Sequence, residues 1–277
     1  MVRLFVGPVE GGDMEIRDIL DFDRFPIDQP GTPAYRDLVA RCQAELAAEG
    51  MFSLDGLMHP HVAQQVADET AEDMATASFH HAREHNIYFL KDIPDVPEDH
   101  PVRTLFRTSN YTLCGDQVEH TAVTAAYECP ALRDFLADVM GKPKLHLMDD
   151  ALARLNVMSY GEGDALNWHF DRSEFTVTLL LQAPDEGGAF EYRRGLRSAQ
   201  DPNYEGVGRL VSGQDDQVKQ IALSAGTLNV FLGVNTAHRV TPVVGDRRRV
   251  IAVLCYYENP GVKFTEEEQL GFYGRTG

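Results

Sequence analysis

The sequence predicts an α+β chain in which a mainly helical N-terminal region, residues 1–145, packs on a jelly-roll barrel of short strands, residues 146–277, as one integrated unit. Amphipathic helical runs are confined to the first half, and short β-rich runs replace them after about residue 145. Loops rich in Gly, Asp and Pro separate those runs. Taken in order, Tyr35, Leu38, Val39, Cys42, Leu46 and Ala47 recur at helical spacing, and Gly50 closes the run as a C-terminal cap would. Residues 51–56 read as a short strand and turn, 61–84 as a second long helix and 121–140 as a third. The stretch 92–99 is a loop, because Pro94 and Pro97 remove backbone donors and fix the chain locally. Strands are expected over 153–160, 175–181, 189–192, 220–223, 227–232 and 249–257.

Hydrophobic residues make up 43% of the 277-residue chain and charged residues 25%, the balance of an ordinary globular protein. The 43 acidic against 25 basic residues give a formal net charge of -18, which repels phosphate backbones and anionic lipid, so neither nucleic acid nor membrane is an expected partner. An acidic surface would steer a cationic small substrate, although solubility alone explains such a charge. Cys42, Cys114, Cys129 and Cys255 lie far apart and form no C-x-x-C pair, so they read as reduced, partly buried thiols. The opening MVRLFVGPVEGGDME has a short apolar stretch followed by acids, unlike an export signal, and no segment has the length of a membrane span. A cytoplasmic location is the expectation.

Chemistry concentrates in the β-rich half. Asn167-Trp168-His169-Phe170-Asp171 places an imidazole and a carboxylate two residues apart, on one side of an extended segment. His238, in Asn235-Thr236-Ala237-His238-Arg239-Val240, lies between two expected strands and supplies a third donor. Two His and one carboxylate leave coordination positions open, which suits iron(II) with a chelating cosubstrate and oxygen; zinc is the competing metal. An H-x-D tripeptide alone arises often by chance, and a His between Trp and Phe is commonly a packed core residue. The context raises its weight: Ser159-Tyr160-Gly161-Glu162-Gly163-Asp164 precedes it, and Gln182 to Phe190, with Gly187-Gly188, follows.

The order of tyrosine, glycine turn, H-x-D, apolar strand, GG turn, distal His and basic residue resembles the iron(II)/2-oxoglutarate-dependent oxygenase superfamily over roughly 145–260. More narrowly, 166–192, 226–242 and 249–261 resemble the freestanding amino-acid oxygenases grouped with the lysine halogenases. The resemblance implies a double-stranded β-helix (jelly-roll, cupin-like barrel) with an N-terminal helical layer. It also implies iron(II) on His169, Asp171 and His238, with 2-oxoglutarate and O2 as cosubstrates. Halogenases of that group have a small residue where this chain has Asp171, and the vacancy admits chloride. Asp171 therefore implies hydroxylation of an aliphatic C–H of a free amino acid, with a cationic one such as lysine favoured. The open alternatives are a halogenase at the same iron, a peptide or protein hydroxylase, and a non-catalytic cupin-like metal-binding module.

The far carboxylate of 2-oxoglutarate needs a buried cation. Among Arg247, Arg248 and Arg249, residues 247 and 249 share a strand face, and Arg249 leads the apolar run Val250 to Leu254. Arg249 is the first candidate and Arg247 the second, while at least one of the three belongs to a solvated turn. The resemblance places Tyr160 and Asn156 as polar contacts to the cosubstrate; a core tyrosine and an edge asparagine are the plainer readings. Arg107 is a candidate for a substrate carboxylate, with a surface salt bridge equally open in so acidic a chain. Asp149 and Asp150 are candidates for a substrate amino group or a turn. His80, His81 and His85 fall on the expected second helix and read as solvated or packed.

Overall fold

The computed structural model describes residues 14–277; the opening segment read above as unlike an export signal lies outside the described residues. After a single helical turn at Ile16–Ile19, helix α1 (Pro33–Glu49) begins where the Thr32 side chain accepts from the Tyr35 N–H and proline occupies the first turn. It ends at Gly50, whose φ of 76° is the left-handed conformation a helix C-terminus demands.

Two of the expected helices are divided. The run over 121–140 becomes α4 (Ala122–Glu128) and α5 (Pro130–Met140), because Pro130 lacks the N–H that a continuous helix needs and holds Cys129 extended at ψ 115°. The run over 61–84 becomes α2 (Pro60–Glu69) and α3 (Ala71–Thr76), followed by a strand, β2 (Phe79–His85). Phe79 to His85 hold few β-formers, but all seven residues pair in antiparallel register with β3 (Phe106–Leu113), and that pairing overrides local propensity.

The remaining strands of the two larger sheets are β1 (Met51–Leu54), β4 (Leu155–Tyr160), β5 (Leu166–His169), β6 (Thr176–Gln182), β7 (Phe190–Arg193), β8 (Lys219–Ile221), β9 (Leu228–Phe231), β10 (Ala237–Val240) and β11 (Arg249–Leu254). The major sheet runs β1-β9-β6-β11-β4-β3-β2 and the minor sheet β8-β7-β10-β5, the two walls of the jelly roll. Strands β1, β2 and β3 come from the region read as mainly helical, so it supplies part of the major sheet as well as the helices covering it. Two helices beyond those expected, α6 (Tyr204–Val211) and α7 (Glu266–Tyr273), complete the chain.

Strand alternation divides the two faces of the major sheet. Leu155, Val157, Val177, Leu179, Leu228, Val230, Val250 and Ala252 join the helices in the main apolar core. The opposite face looks into the barrel, where Met51, Phe190, Tyr192, Phe231 and Val240 close one end and Tyr160, Leu180, Val243 and Ile251 pack together in another group. Among the described residues no helix is long and apolar enough to cross a membrane.

Candidate active site

The minor sheet brings two histidines side by side. His169, the last residue of β5, is the direct cross-strand partner of His238 on β10, and the ring centroids lie 4.1 Å apart. Each Nδ1 lies within hydrogen-bond distance of a carbonyl two residues earlier in the chain, Asn167 O at 2.8 Å and Thr236 O at 2.9 Å. A carbonyl can only accept, so Nδ1 carries the proton and each Nε2 presents a lone pair. Burial, reinforced by the neighbouring His238 ring, lowers the pKa of His169 and favours its neutral, ligating form. Phe231 packs edge-on against His238 at 4.7 Å, and Phe89 lies 5.9 Å from His169.

Asp171 completes the cluster by a route different from the one its spacing implies. The strand ends at His169, and Asp171 sits in the bend beyond it. Its backbone N–H donates to the Gly233 carbonyl at 3.1 Å and Thr176 Oγ1 donates to Asp171 Oδ2 at 2.5 Å. Oδ1 then lies 3.4 Å from His169 Nε2 and 3.5 Å from His238 Nε2. Burial opposes ionisation of this carboxyl, but a proton on the His238 or His169 Nε2 atom would hold it well below the usual carboxylate range. Three donor atoms, one from each residue, lie within 4.8 Å of one another, a donor set that fits one divalent first-row metal with positions left open.

Of the three consecutive arginines, one is inside. Arg249, the first residue of β11, is 3% exposed, and its Nη1 has no hydrogen-bond partner among the described residues. An orphaned buried guanidinium is costly unless an anion completes it, which is what the far carboxylate of 2-oxoglutarate would do. Arg249 lies opposite Tyr160 in register, with its guanidinium 5.8 Å from that ring, and burial raises the Tyr160 pKa to about 12. Arg247 is exposed instead, donating to the Ala183 carbonyl and to Gln64 Oε1, and Arg248 donates to Ser159 Oγ on the helix-covered side.

Other expected contacts are used elsewhere. Asn156 spends its amide on the Leu152 and Leu155 carbonyls and accepts from the Tyr273 hydroxyl, so it braces α7. Arg107 is exposed opposite Glu84, on the face of β3 that carries Ser109 and Tyr111, and is not gathered with the cluster. Asp150 is buried and accepts from the N–H groups of Leu152, Ala153 and Phe264 and from Gln269 Nε2, while Asp149 lies 3.4 Å from Lys263. His81 and His85 share the inward face of β2, where His85 binds Thr108 Oγ1 at 2.8 Å through Nε2. Thr176 and Gly233 hold Asp171, and Phe89 borders His169, without being singled out in the sequence; Thr176 lies five residues from Asp171, while Gly233 and Phe89 arrive by tertiary approach.

Comparison with known proteins agrees with this geometry. The family model HalD, Halogenase D, matches residues 34–268. No curated protein matches the chain. Among solved structures, an oxidoreductase of the 2OG-Fe(II) oxygenase family from Burkholderia pseudomallei is similar at 16% identity and a TM-score of 0.50, covering 81% of this chain and 92% of its own. The α-ketoglutarate-dependent epimerase SnoN of nogalamycin biosynthesis is similar at 14% identity and a TM-score of 0.55, covering 80% and 83%. The same epimerase in complex with Fe3+, α-ketoglutarate and nogalamycin RO gives 12% identity and 0.52, covering 80% and 84%. At these identities the likeness is one of fold.

Proposed function

From the premise that the chain belongs to the Halogenase D family and has the fold of the iron(II)/2-oxoglutarate oxygenases, we propose that it hydroxylates an aliphatic C–H bond of a free amino acid. The observation that carries hydroxylation over chlorination is the Asp171 carboxylate, with Oδ1 3.4 and 3.5 Å from the two Nε2 atoms. A carboxylate there takes the position that a halide needs.

In this reading His169, His238 and Asp171 hold iron(II), and Arg249 receives the far carboxylate of 2-oxoglutarate beside Tyr160. With oxygen, the metal and cosubstrate supply the oxidising power, and one atom of O2 enters the product while succinate and CO2 leave. The protein positions the donors. The Asn167 and Thr236 carbonyls fix both imidazoles in the ligating tautomer, and Thr176 and Gly233 hold Asp171 in place. Phe190 and Phe231 pack against the His238 ring, and Phe89 borders the His169 ring.

The test is succinate formation by iron-loaded protein given 2-oxoglutarate, air and a panel of free amino acids, with and without chloride. The expected result is a product heavier by one oxygen regardless of chloride, lost in His238→Ala. A chlorinated product would instead assign a halogenase. Iron binding without substrate-stimulated succinate would point to the non-catalytic metal-binding barrel.

A further inference from the structure

One arginine next to the His/Asp cluster has no ionic partner among the described residues. On β2 the inward face carries Phe79, His81, Arg83 and His85, paired across from Thr112, Asn110, Thr108 and Phe106 of β3. His85 has both ring nitrogens committed, one to Thr108 and one to the Asn86 carbonyl. The Phe89 ring lies 4.4 Å from His85 and 5.9 Å from His169, and the Arg83 guanidinium sits over the same ring at 4.3 Å. One aromatic ring therefore separates Arg83 from a residue of the His/Asp cluster. Arg83 is solvent-accessible, and among the described residues it makes no ion pair and donates no hydrogen bond.

Two more arginines lie near Asp171. Arg172, directly after Asp171, lies over Phe272 of α7 at 5.8 Å, and packing together with its like charge pushes the Arg83 pKa down. Arg197 stacks on Phe170 at 4.0 Å and donates Nε to the Val234 carbonyl, within electrostatic reach of Asp171. The nearby carboxylates are already engaged: Glu268 by Arg172 and Thr265, Asp150 by four donors. A lysine-like side chain approaching Arg83 would thus meet an unpaired like charge, although the chain as a whole carries a formal charge of -18. Like-charge juxtaposition of that kind excludes a ligand as effectively as a clash.

We propose that the substrate is an acid rather than a base: a small carboxylate such as an acidic amino acid, received by Arg83, whereas Arg172 is already paired with Glu268. This rests on the oxygenase reading for what happens to the bound molecule, but not for the binding itself. The preference for a cationic amino acid implied by the family resemblance is then reversed on this wall.

The experiment is calorimetric titration of anaerobic protein loaded with iron(II) and 2-oxoglutarate, using glutamate against glutamine, aspartate against asparagine, and lysine. An acid should bind about tenfold or more tighter than its amide, the difference being one charge-assisted contact. Arg83→Gln should remove that preference and Arg83→Lys should restore part of it, with the affinities for iron and 2-oxoglutarate unchanged in both. An equal affinity for acid and amide, tighter binding of lysine, or no Arg83-dependent binding of any acid would overturn the proposal. The two readings separate cleanly: Arg83-dependent acid binding without turnover sinks only the oxygenase assignment, whereas lysine-stimulated succinate sinks only the acidic substrate.

Discussion

Gly233 leaves the space that the Asp171 side chain occupies: a β-carbon at residue 233 would come within 2.7 Å of both the Asp171 Cβ and its carboxyl carbon. The same residue accepts the Asp171 N–H through its carbonyl, so one turn fixes both the backbone and the side chain of the third donor. Gly233→Ala should push the carboxylate off the two Nε2 atoms and weaken iron(II) binding by about 10- to 100-fold, the usual cost of disturbing a ligand's support. Metal titration of the folded variant checks this, with circular dichroism to show the fold intact. Unchanged affinity would mean that the turn yields without moving Asp171.

Arg249 and Arg247 make opposite predictions for the cosubstrate. Arg249→Gln should weaken 2-oxoglutarate binding by about 2–5 kcal/mol, since a desolvated carboxylate would lose its charged partner. Its thermal midpoint should hold or rise, because the guanidinium removed is buried with an unpartnered nitrogen. Arg247→Ala, at an exposed residue tied to Ala183 and Gln64, should leave 2-oxoglutarate binding unchanged. Calorimetry on both variants decides between them.

What the sequence makes legible follows from the range of the interaction. Helix α1 is readable because Thr32, Pro33 and Gly50 act within one turn of its ends, and the apolar alternation of β6 and β11 is strong enough to define strands by itself. His169, Asp171 and His238 can be picked out as residues, but not the bend that turns Asp171 back, which depends on Gly233 some sixty positions away. Pro130 was a local signal for the break between α4 and α5. Strand β2 had none, because Phe79 to His85 become a strand only through β3, and the placement of Arg83 on the inward face of β2 comes with that pairing. For the same reason spacing alone left Arg247 level with Arg249: the turn before β11 carries Arg247 outward.

Asp150 should report on how α7 is held. The carboxylate is 3% exposed; burial alone would raise its pKa, yet hydrogen bonds from Ala153, Gln269, Phe264 and Leu152 leave it below the ordinary value. A depressed folded pKa means that this stabilisation is fully present above the unfolded value of about 3.9 and is lost as pH falls through the folded value. Asp150→Ala should cost on the order of 2–3 kcal/mol near neutral pH by leaving buried donors unpaired. The gap between wild type and variant in urea unfolding should close as the pH drops below about 4. A gap that persists unchanged at acid pH would show that the charge of Asp150 contributes nothing.

Removing the Asp171 carboxylate should make the metal depend on halide. Asp171→Gly leaves two imidazoles whose Nδ1 atoms still face the Asn167 and Thr236 carbonyls, and it empties a half-buried position beside Thr176 Oγ1, a free hydroxyl donor. The missing negative charge can then come from chloride, so iron(II) affinity in the variant should rise with chloride concentration and stay flat in sulfate of equal ionic strength. Wild type should show neither dependence, since Asp171 already supplies the charge. Chloride-independent affinity in Asp171→Gly would mean that the vacated position fills with water, and the residue at 171 would then not by itself divide hydroxylation from halogenation in this chain.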